Sequence, residues 1–370
     1  MQISRVLSQK FRFYTFVCIV LLLFVHGYNL QETYLTPFST VKEPLTFTAF
    51  FEYLVSNGLL RFRIPLLFMI SGYIYALQDN KPYWERTRKR VMTLLVPYLL
   101  WSALGLLLTF VLQRSTYTYQ FVLAAQLDQM NDNRLYEQIG WWGVMERWLL
   151  APISFQLWFI IALFMYNLMY PLIRWMVVRY PWIWIGITAF LWLSYFNFIF
   201  IGGQGLFFFS LGVYLQKANF NIERKPRWLS LYICFLVYVA SSVIKSFMAF
   251  ELDPESMNTF IALHMLHSIT IVSGIVAIWY GADVVVKWCI QQQWFIWLSG
   301  FAFFIYGFHA PMISFLTRWL FSILDGFTYY RLLTYFLTPL LVLAICIGVG
   351  LLLKKISPSI FRLLTGGRGL

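Results

Sequence analysis

Charge is what this chain lacks most. Of its 370 residues only 12% are Asp, Glu, Lys or Arg and only 15 are acidic, while 60% are hydrophobic and mean hydropathy is +0.69. A water-soluble domain of this length cannot hide so much apolar surface, so lipid must be the solvent for much of it. Cysteine is scarce too. Cys18, Cys234, Cys289 and Cys346 fall in or at the edges of apolar runs, form no Cys-x-x-Cys and place no pair in an external loop. That argues against a disulfide framework or a metal cluster. No soluble domain, repeat or low-complexity linker interrupts the chain, which reads as one membrane domain over 1–370. No small-x-small cleavage site follows the basic start (Arg5, Lys10, Arg12) and first apolar run, so that segment reads as an uncleaved anchor. The formal net charge of +13 does not mark a nucleic-acid binder, because Lys and Arg are spread over many short loops.

What is present is a series of apolar runs. Ten are long enough to be considered as spans: 11–29, 54–77, 91–112, 154–173, 181–200, 203–216, 228–249, 259–281, 294–317 and 331–353. The sixth is short, as a tilted or broken span would be. The expected fold is therefore all-α, a polytopic transmembrane bundle of about ten spans. An even number puts both termini on one side, and the positive-inside bias names the side. With cytoplasmic termini, 19 of the 28 Lys and Arg face the cytoplasm and 11 of the 15 acidic residues lie outside. The aromatic share, 21%, suits a protein that meets the water–lipid boundary. The loop 113–153, with Trp141, Trp142 and Trp148, and the amphipathic segment 43–63 are candidates for interfacial helices over the outer mouth.

All four histidines lie in apolar runs. An ionised group in hydrocarbon costs roughly 2.5–3.5 kcal/mol on insertion scales, so such residues are kept for chemistry, proton transfer or binding, or are hydrogen-bonded to a neighbouring helix. His26 lies 14 residues beyond Arg12, roughly 21 Å into a core of about 30 Å, in the outer half of the membrane. His309 falls near mid-depth of the ninth run. His264 and His267, at i, i+3, share one face; that spacing suits a metal pair, but no acidic or cysteine partner stands nearby, and hydrogen bonding to adjacent helices is the simpler role. Arg61 and Arg63 precede the second run and either snorkel to the interface or turn inward toward an anionic or polar group. Arg86, Arg88, Lys89 and Arg90 form a basic cluster that topology alone explains, but that would also attract a phosphate-bearing donor.

Several phrases then converge. Val25-His26, Pro65-Leu66-Leu67-Phe68-Met69-Ile70-Ser71-Gly72, the basic run Arg86 to Arg90 ahead of Pro97-Tyr98, Leu157-Trp158-Phe159 with Pro171, and Ile305-Tyr306-Gly307-Phe308-His309-Ala310-Pro311 stand in one order across the chain. In this the chain resembles the integral-membrane acyltransferase-3 family, which acylates cell-surface carbohydrates and some lipids and antibiotics. One departure stands out. The family usually has an arginine eleven positions before the first histidine, where this chain has Thr15. Eleven residues advance a helix about 20° past whole turns, so that position shares the histidine's face. Arg12, about −40° from His26, is on the same face one turn nearer the cytoplasm, whereas Lys10 is about 160° away.

The resemblance implies a donor, acyl-CoA and by preference acetyl-CoA, bound from the cytoplasm as co-substrate with no metal and no permanent cofactor. It implies an acceptor hydroxyl on a carbohydrate or glycolipid at the outer face of a bacterial inner membrane, supplied by polysaccharide biosynthesis proteins. His26 is then the catalytic residue, as general base on the hydroxyl or as a nucleophile that carries the acyl group. Arg12 would hold the donor. Arg61, Arg63 or His309 would polarise the thioester carbonyl. Ser71, Arg86, Arg88, Arg90, Trp158 and Tyr306 complete the candidate binding residues. The family also has members with a fused extracellular hydrolase-like domain; this sequence stops at Leu370, so transfer is expected to finish within the membrane domain or pass to a separate protein. A transporter of a glycan or small acid, or a transferase of succinyl groups, is the alternative expectation.

Overall fold

The structure is a computed structural model and describes residues 3–27, 38–125 and 136–368. It is almost entirely helical; the described strands are the two-residue pair Asn197–Phe198 and Ile201–Gly202. The elements that position the site are α1 (Arg5–His26), α2 (Arg63–Ala76), α3 (Trp158–Leu168), α4 (Gly203–Lys217), α5 (Leu231–Glu251), α6 (Met257–Gly281), α7 (Ala302–Phe308), α8 (Met312–Leu324), α9 (Tyr330–Ile356) and α10 (Pro358–Leu364).

Each of the ten apolar runs contains helix, but they are not equally continuous. Among the described residues, six segments are long and apolar enough to cross a bilayer: Arg5–His26, Phe47–Ala76, Tyr83–Gln113, Leu231–Glu251, Met257–Gly281 and Tyr330–Ile356. Phe155–Leu168 and Tyr170–Arg179, bent by 62°, make a seventh if they form one span. The remaining runs are shorter for local reasons. The helix Pro181–Leu193 stops where the chain turns into the strand pair. α4 has 15 residues, about 22 Å of rise against a core of about 30 Å. The run 294–317 is cut twice, at Gly300-Phe301 and at His309-Ala310-Pro311, into Gln293–Ser299, α7 and α8. Proline cannot donate to the helical ladder, so a break at the second point is expected on elementary grounds. Of the two interfacial candidates, Phe47–Tyr53 is helical, and Tyr136–Leu149 is two helical pieces joined by a kink at Gly140 (φ +69°), with Trp141 and Trp142 just beyond the kink exposed. Residues 28–37 and 126–135 of those loops lie outside the described residues.

α1 is the central element. Ser4 caps it, its Oγ accepting from the Leu7 N–H at 3.0 Å, and it packs against α2, α7 and α9. α2 in turn crosses α4 at very close range. A Cβ at Gly72 would lie 2.1 Å from the Phe209 carbonyl oxygen, and one at Gly212 would lie 2.0 Å from that of Met69. Small residues that let helix backbones touch are the usual device where lipid supplies no hydrophobic drive between helices. The crossing explains why glycine follows Ser71, and it holds α2 in the register that turns Ser71 toward α1. Gly72→Ala or Gly212→Ala should therefore destabilise the bundle by about 1–3 kcal/mol through overpacking. The check is thermal unfolding of the detergent-solubilised protein, where an unchanged Tm would contradict the close crossing.

Candidate functional site

The polar stripe of α1 organises the site. Arg12, Thr15 and Ile19 recur at helical spacing and line one cavity of about 670 Å³. His26 continues that face seven residues further on, about 10 Å beyond Ile19 along the axis. At the end of the bundle that carries both termini, four cations from four parts of the chain line the cavity: Arg12, Arg90, Lys354 and Arg368. Among its described lining residues there is no Asp or Glu. Arg12 is held in place, Nε donating to Ser299 Oγ at 2.7 Å and Nη2 to the Ile296 carbonyl at 2.5 Å. Arg368 folds back from the tail beyond α10. Its guanidinium donates to the Thr93 carbonyl at 2.9 Å and lies 4.4 Å from the centre of the Phe303 ring. Burial first, and then the charge of Arg90, bring Arg368 down to about 10.

Deeper in the cavity the lining becomes neutral, with Ser71, Asn167 and Tyr306 among apolar side chains. Asn167 Nδ2 donates to the Leu163 carbonyl at 2.6 Å, while its Oδ1 is buried with no partner among the described residues. Tyr306 donates its hydroxyl hydrogen to the Gln156 carbonyl, and Gln156 Nε2 donates back to the Gly307 carbonyl at 3.1 Å. This reciprocal pair fixes α7 against the turn that begins α3.

His309 stands at the break between α7 and α8 and is fully buried. Its Nδ1 lies 3.0 Å from the Ile305 carbonyl and 2.9 Å from that of Tyr306. Carbonyls only accept, so Nδ1 carries the proton and, in the neutral ring, Nε2 carries the lone pair. Nε2 is buried with no partner among the described residues. The ring centroid lies 6.2 Å from that of Tyr306, on the cavity side, and 5.5 Å from that of His26. His26 also packs edge-on against Phe155 at 4.7 Å, and Arg63 and Arg61 are the cations in electrostatic reach of it. The two imidazoles thus sit one ring beyond the deep end of the cavity.

On the opposite side of this layer lies a second cavity of about 260 Å³. Arg61, Arg63, Trp158, His264 and His267 line it. Arg61 donates to Asn57 Oδ1, and Lys245 donates to the Asn57 carbonyl and lies 3.4 Å from His267 Nδ1. α2 and α3 run past both cavities, their first turns at the outer one and their middles at the inner one.

The structure therefore divides the residues singled out in the sequence. Arg12, Ser71, Arg90 and Tyr306 share the inner cavity, with His26 and His309 at its deep end, and Arg61, Arg63 and Trp158 share the outer one. Arg86 and Arg88 join neither lining. Arg86 pairs with Asp79 at 3.0 Å and lies about 5 Å from the rings of Tyr75 and Tyr170; Arg88 is exposed. Lys10, expected to point away from the His26 face, pairs with Asp283 at 2.5 Å. Four residues were missed. Lys245 carried a usable signal, since it is a charge inside an apolar run like His26. Lys354 and Arg368 carried none, because only the fold-back of the tail brings Arg368 to the cavity, and Asn167 is an ordinary amide until its partner is known.

Asp79 is the hub of a separate ion cluster that braces the loop between α2 and the next helix. Arg86, Arg174 and Lys217 pair with it, and the Tyr170 hydroxyl donates to it at 2.6 Å. Burial alone would raise its carboxyl; the hydrogen bonds from Lys217, Tyr170 and Arg174 outweigh that and bring it to about 2.

A family profile described as an acyltransferase domain, that of the acyltransferase-3 family, matches residues 15–354. A curated relative, the succinoglycan biosynthesis protein ExoH of Rhizobium meliloti (strain 1021), is 25% identical over 317 residues, which is 85% of this chain and 81% of the relative. No solved structure matches the chain at a significant level.

The Asp79 cluster makes a prediction with a definite sign. A carboxyl held below its usual value, which is about 4, stabilises the fold fully above that value and loses its contribution as pH falls from about 4 toward about 2. Asp79→Asn should lower the Tm at neutral pH, and its deficit relative to the native chain should shrink over that acid window. A deficit independent of pH would show that the carboxylate charge is not what braces the loop.

Proposed function

This chain belongs to the acyltransferase-3 family, and from that premise we propose that it moves an acyl group, acetyl by preference, from cytoplasmic acyl-CoA to a hydroxyl of a cell-surface or envelope carbohydrate. The chain is an acyltransferase and a multi-pass membrane protein. A relative named for succinoglycan biosynthesis supports a glycan acceptor, and its bacterial source supports the cytoplasmic membrane as the location, with polysaccharide biosynthesis proteins supplying the acceptor. The observation that carries the reading is the arrangement along α1: a cavity with four cations at the end bearing the termini, a neutral amide- and hydroxyl-bearing depth, and two imidazoles beyond it.

Each part has a task in this reading. The phosphates of CoA lie among Arg12, Arg90, Lys354 and Arg368, where clustered cations attract a polyanion and guanidinium groups grip it by paired hydrogen bonds. Asn167 Oδ1, which needs a donor, accepts from an amide N–H of the pantetheine arm. The thioester then reaches the imidazole layer, where Arg63 and Arg61 stabilise charge developing on the carbonyl oxygen. The acceptor enters from the outer cavity. His26 takes the proton of its hydroxyl as the oxygen attacks the thioester carbon. The carbon–sulfur bond breaks, and the departing thiolate takes the proton from the His26 imidazolium. His309, anchored by two carbonyls, accepts through Nε2 from a second hydroxyl of the acceptor sugar and so orients the sugar for attack. One site open to two compartments thereby solves the topological problem of a donor inside and an acceptor outside.

Two tests address this reading. Mass spectrometry of surface glycans from cells with and without the gene should differ by one acyl unit, and His26→Ala should remove that unit at unchanged membrane level, with a loss of about 10²-fold or more in transfer rate. Retained transfer in His26→Ala would take His26 out of the chemistry. Separately, Arg12→Ala and Arg368→Ala should each weaken CoA binding to the full-length protein about tenfold, with a smaller salt dependence, whereas Arg88→Ala should leave it unchanged. Equal effects at all three positions would reduce the rim to a general attraction for anions.

A further inference from the structure

The outer cavity has a chemical character of its own. Its described lining holds two guanidinium groups, Arg61 and Arg63, and no Asp or Glu. Guanidinium stays charged at any physiological pH, and in so buried a place salt screens its field little. Arg63 is 2% exposed, and the buried Lys245 lies behind His267. Flat rings share the lining. Trp158 is half exposed at 46%, and Trp192 presents an indole whose Nε1–H is buried with no partner among the described residues. A donor left in this way awaits an acceptor from a ligand, because a buried polar group without a hydrogen bond is costly. Aromatic faces suit the apolar face of a sugar ring; arginine forks suit the planar, two-oxygen geometry of a carboxylate.

We infer that the outer cavity is a carboxylate-binding subsite, and that the carboxylate belongs to an acidic sugar residue of the acceptor. The inference deepens the acyl-transfer reading above and rests on it for the assignment of this cavity to the acceptor side. A neutral sugar would engage the rings but would bring no negative charge to a lining with two fixed positive ones. Arg63 lines the cavity and its charge reaches His26, so the carboxylate would anchor the sugar on the side of the cavity that faces the reacting imidazole. The same position would serve the free carboxylate of a dicarboxylic acyl group, and the experiment separates the two sources.

Full-length protein in nanodiscs is titrated, with tryptophan fluorescence as the readout, with tetraglucuronate and with a neutral cello-oligosaccharide of the same length. Tetraglucuronate should bind about tenfold more tightly, as expected where charge-assisted hydrogen bonds are added. Arg61→Gln and Arg63→Gln should erase that preference while CoA binding at the inner cavity persists, which shows that the variants are folded. Trp192→Phe, which keeps the ring and removes only the unpartnered N–H, should weaken tetraglucuronate binding about threefold. If the carboxylate belongs instead to the acyl group, the two oligosaccharides will bind alike and succinyl-CoA will bind more tightly than acetyl-CoA, a preference lost in the same variants. Equal affinity within both pairs, or a preference that survives both arginine substitutions, overturns the inference. Binding is read without turnover, so a failure of acyl transfer in cells leaves this result readable on its own.

Discussion

The site depends on how a bundle with few carboxylates holds an imidazole still. In hydrocarbon a polar group must find its partner inside the protein, and here the partners of His309 are two backbone carbonyls at the end of α7. The Ile305 carbonyl also accepts the His309 backbone N–H at 3.1 Å, so the ring shares it; the Tyr306 carbonyl is the one that the end of the helix leaves for the ring. The break at His309-Ala310-Pro311 thus gives the ring a second acceptor and fixes its tautomer, with Nε2 buried and without a partner among the described residues. The bond between Tyr306 and Gln156 pins the same helix from the other side, so the break does not become slack.

From that layer the rest follows in both directions. Toward the termini, α1 presents Ile19, Thr15 and Arg12 in turn, and the charge of the cavity rises from neutral to strongly positive. Away from them, the first turns of α2 and α3 open onto a smaller cavity with arginines and tryptophans. Both cavities share their walls, so a shift of α2 would disturb both. The contact of Gly72 and Gly212 with the facing backbone, far from the reacting groups, keeps α2 in place.

How much of this could be read from the sequence depended on whether the information was local. The all-α membrane class followed from composition. The face shared by Arg12 and His26 followed from helical geometry, and Arg12 does line the cavity with Thr15, the position where the family usually has arginine. The basic run was legible only as a run. Arg86 and Arg90 are one turn apart and near the same Tyr75 ring, yet Asp79, Tyr170 and Lys217 from other parts of the chain draw Arg86 away and leave Arg90 to the cavity. Hydropathy likewise registers 294–317 as one apolar run, because it is blind to a break that costs no polarity. Arg368 belongs to a tail whose course no pattern announces, whereas Lys245 was visible to the rule that picked out His26.

The central claim is that one site receives a donor from one side of the membrane and an acceptor from the other. Sealed inverted vesicles test it most directly: radiolabelled acetyl-CoA is added only to the outer medium, which is the cytoplasmic face, with the acceptor glycan enclosed in the lumen. The account predicts labelled glycan inside intact vesicles and none with His26→Ala. Label that appears only when donor and acceptor share a compartment would contradict it.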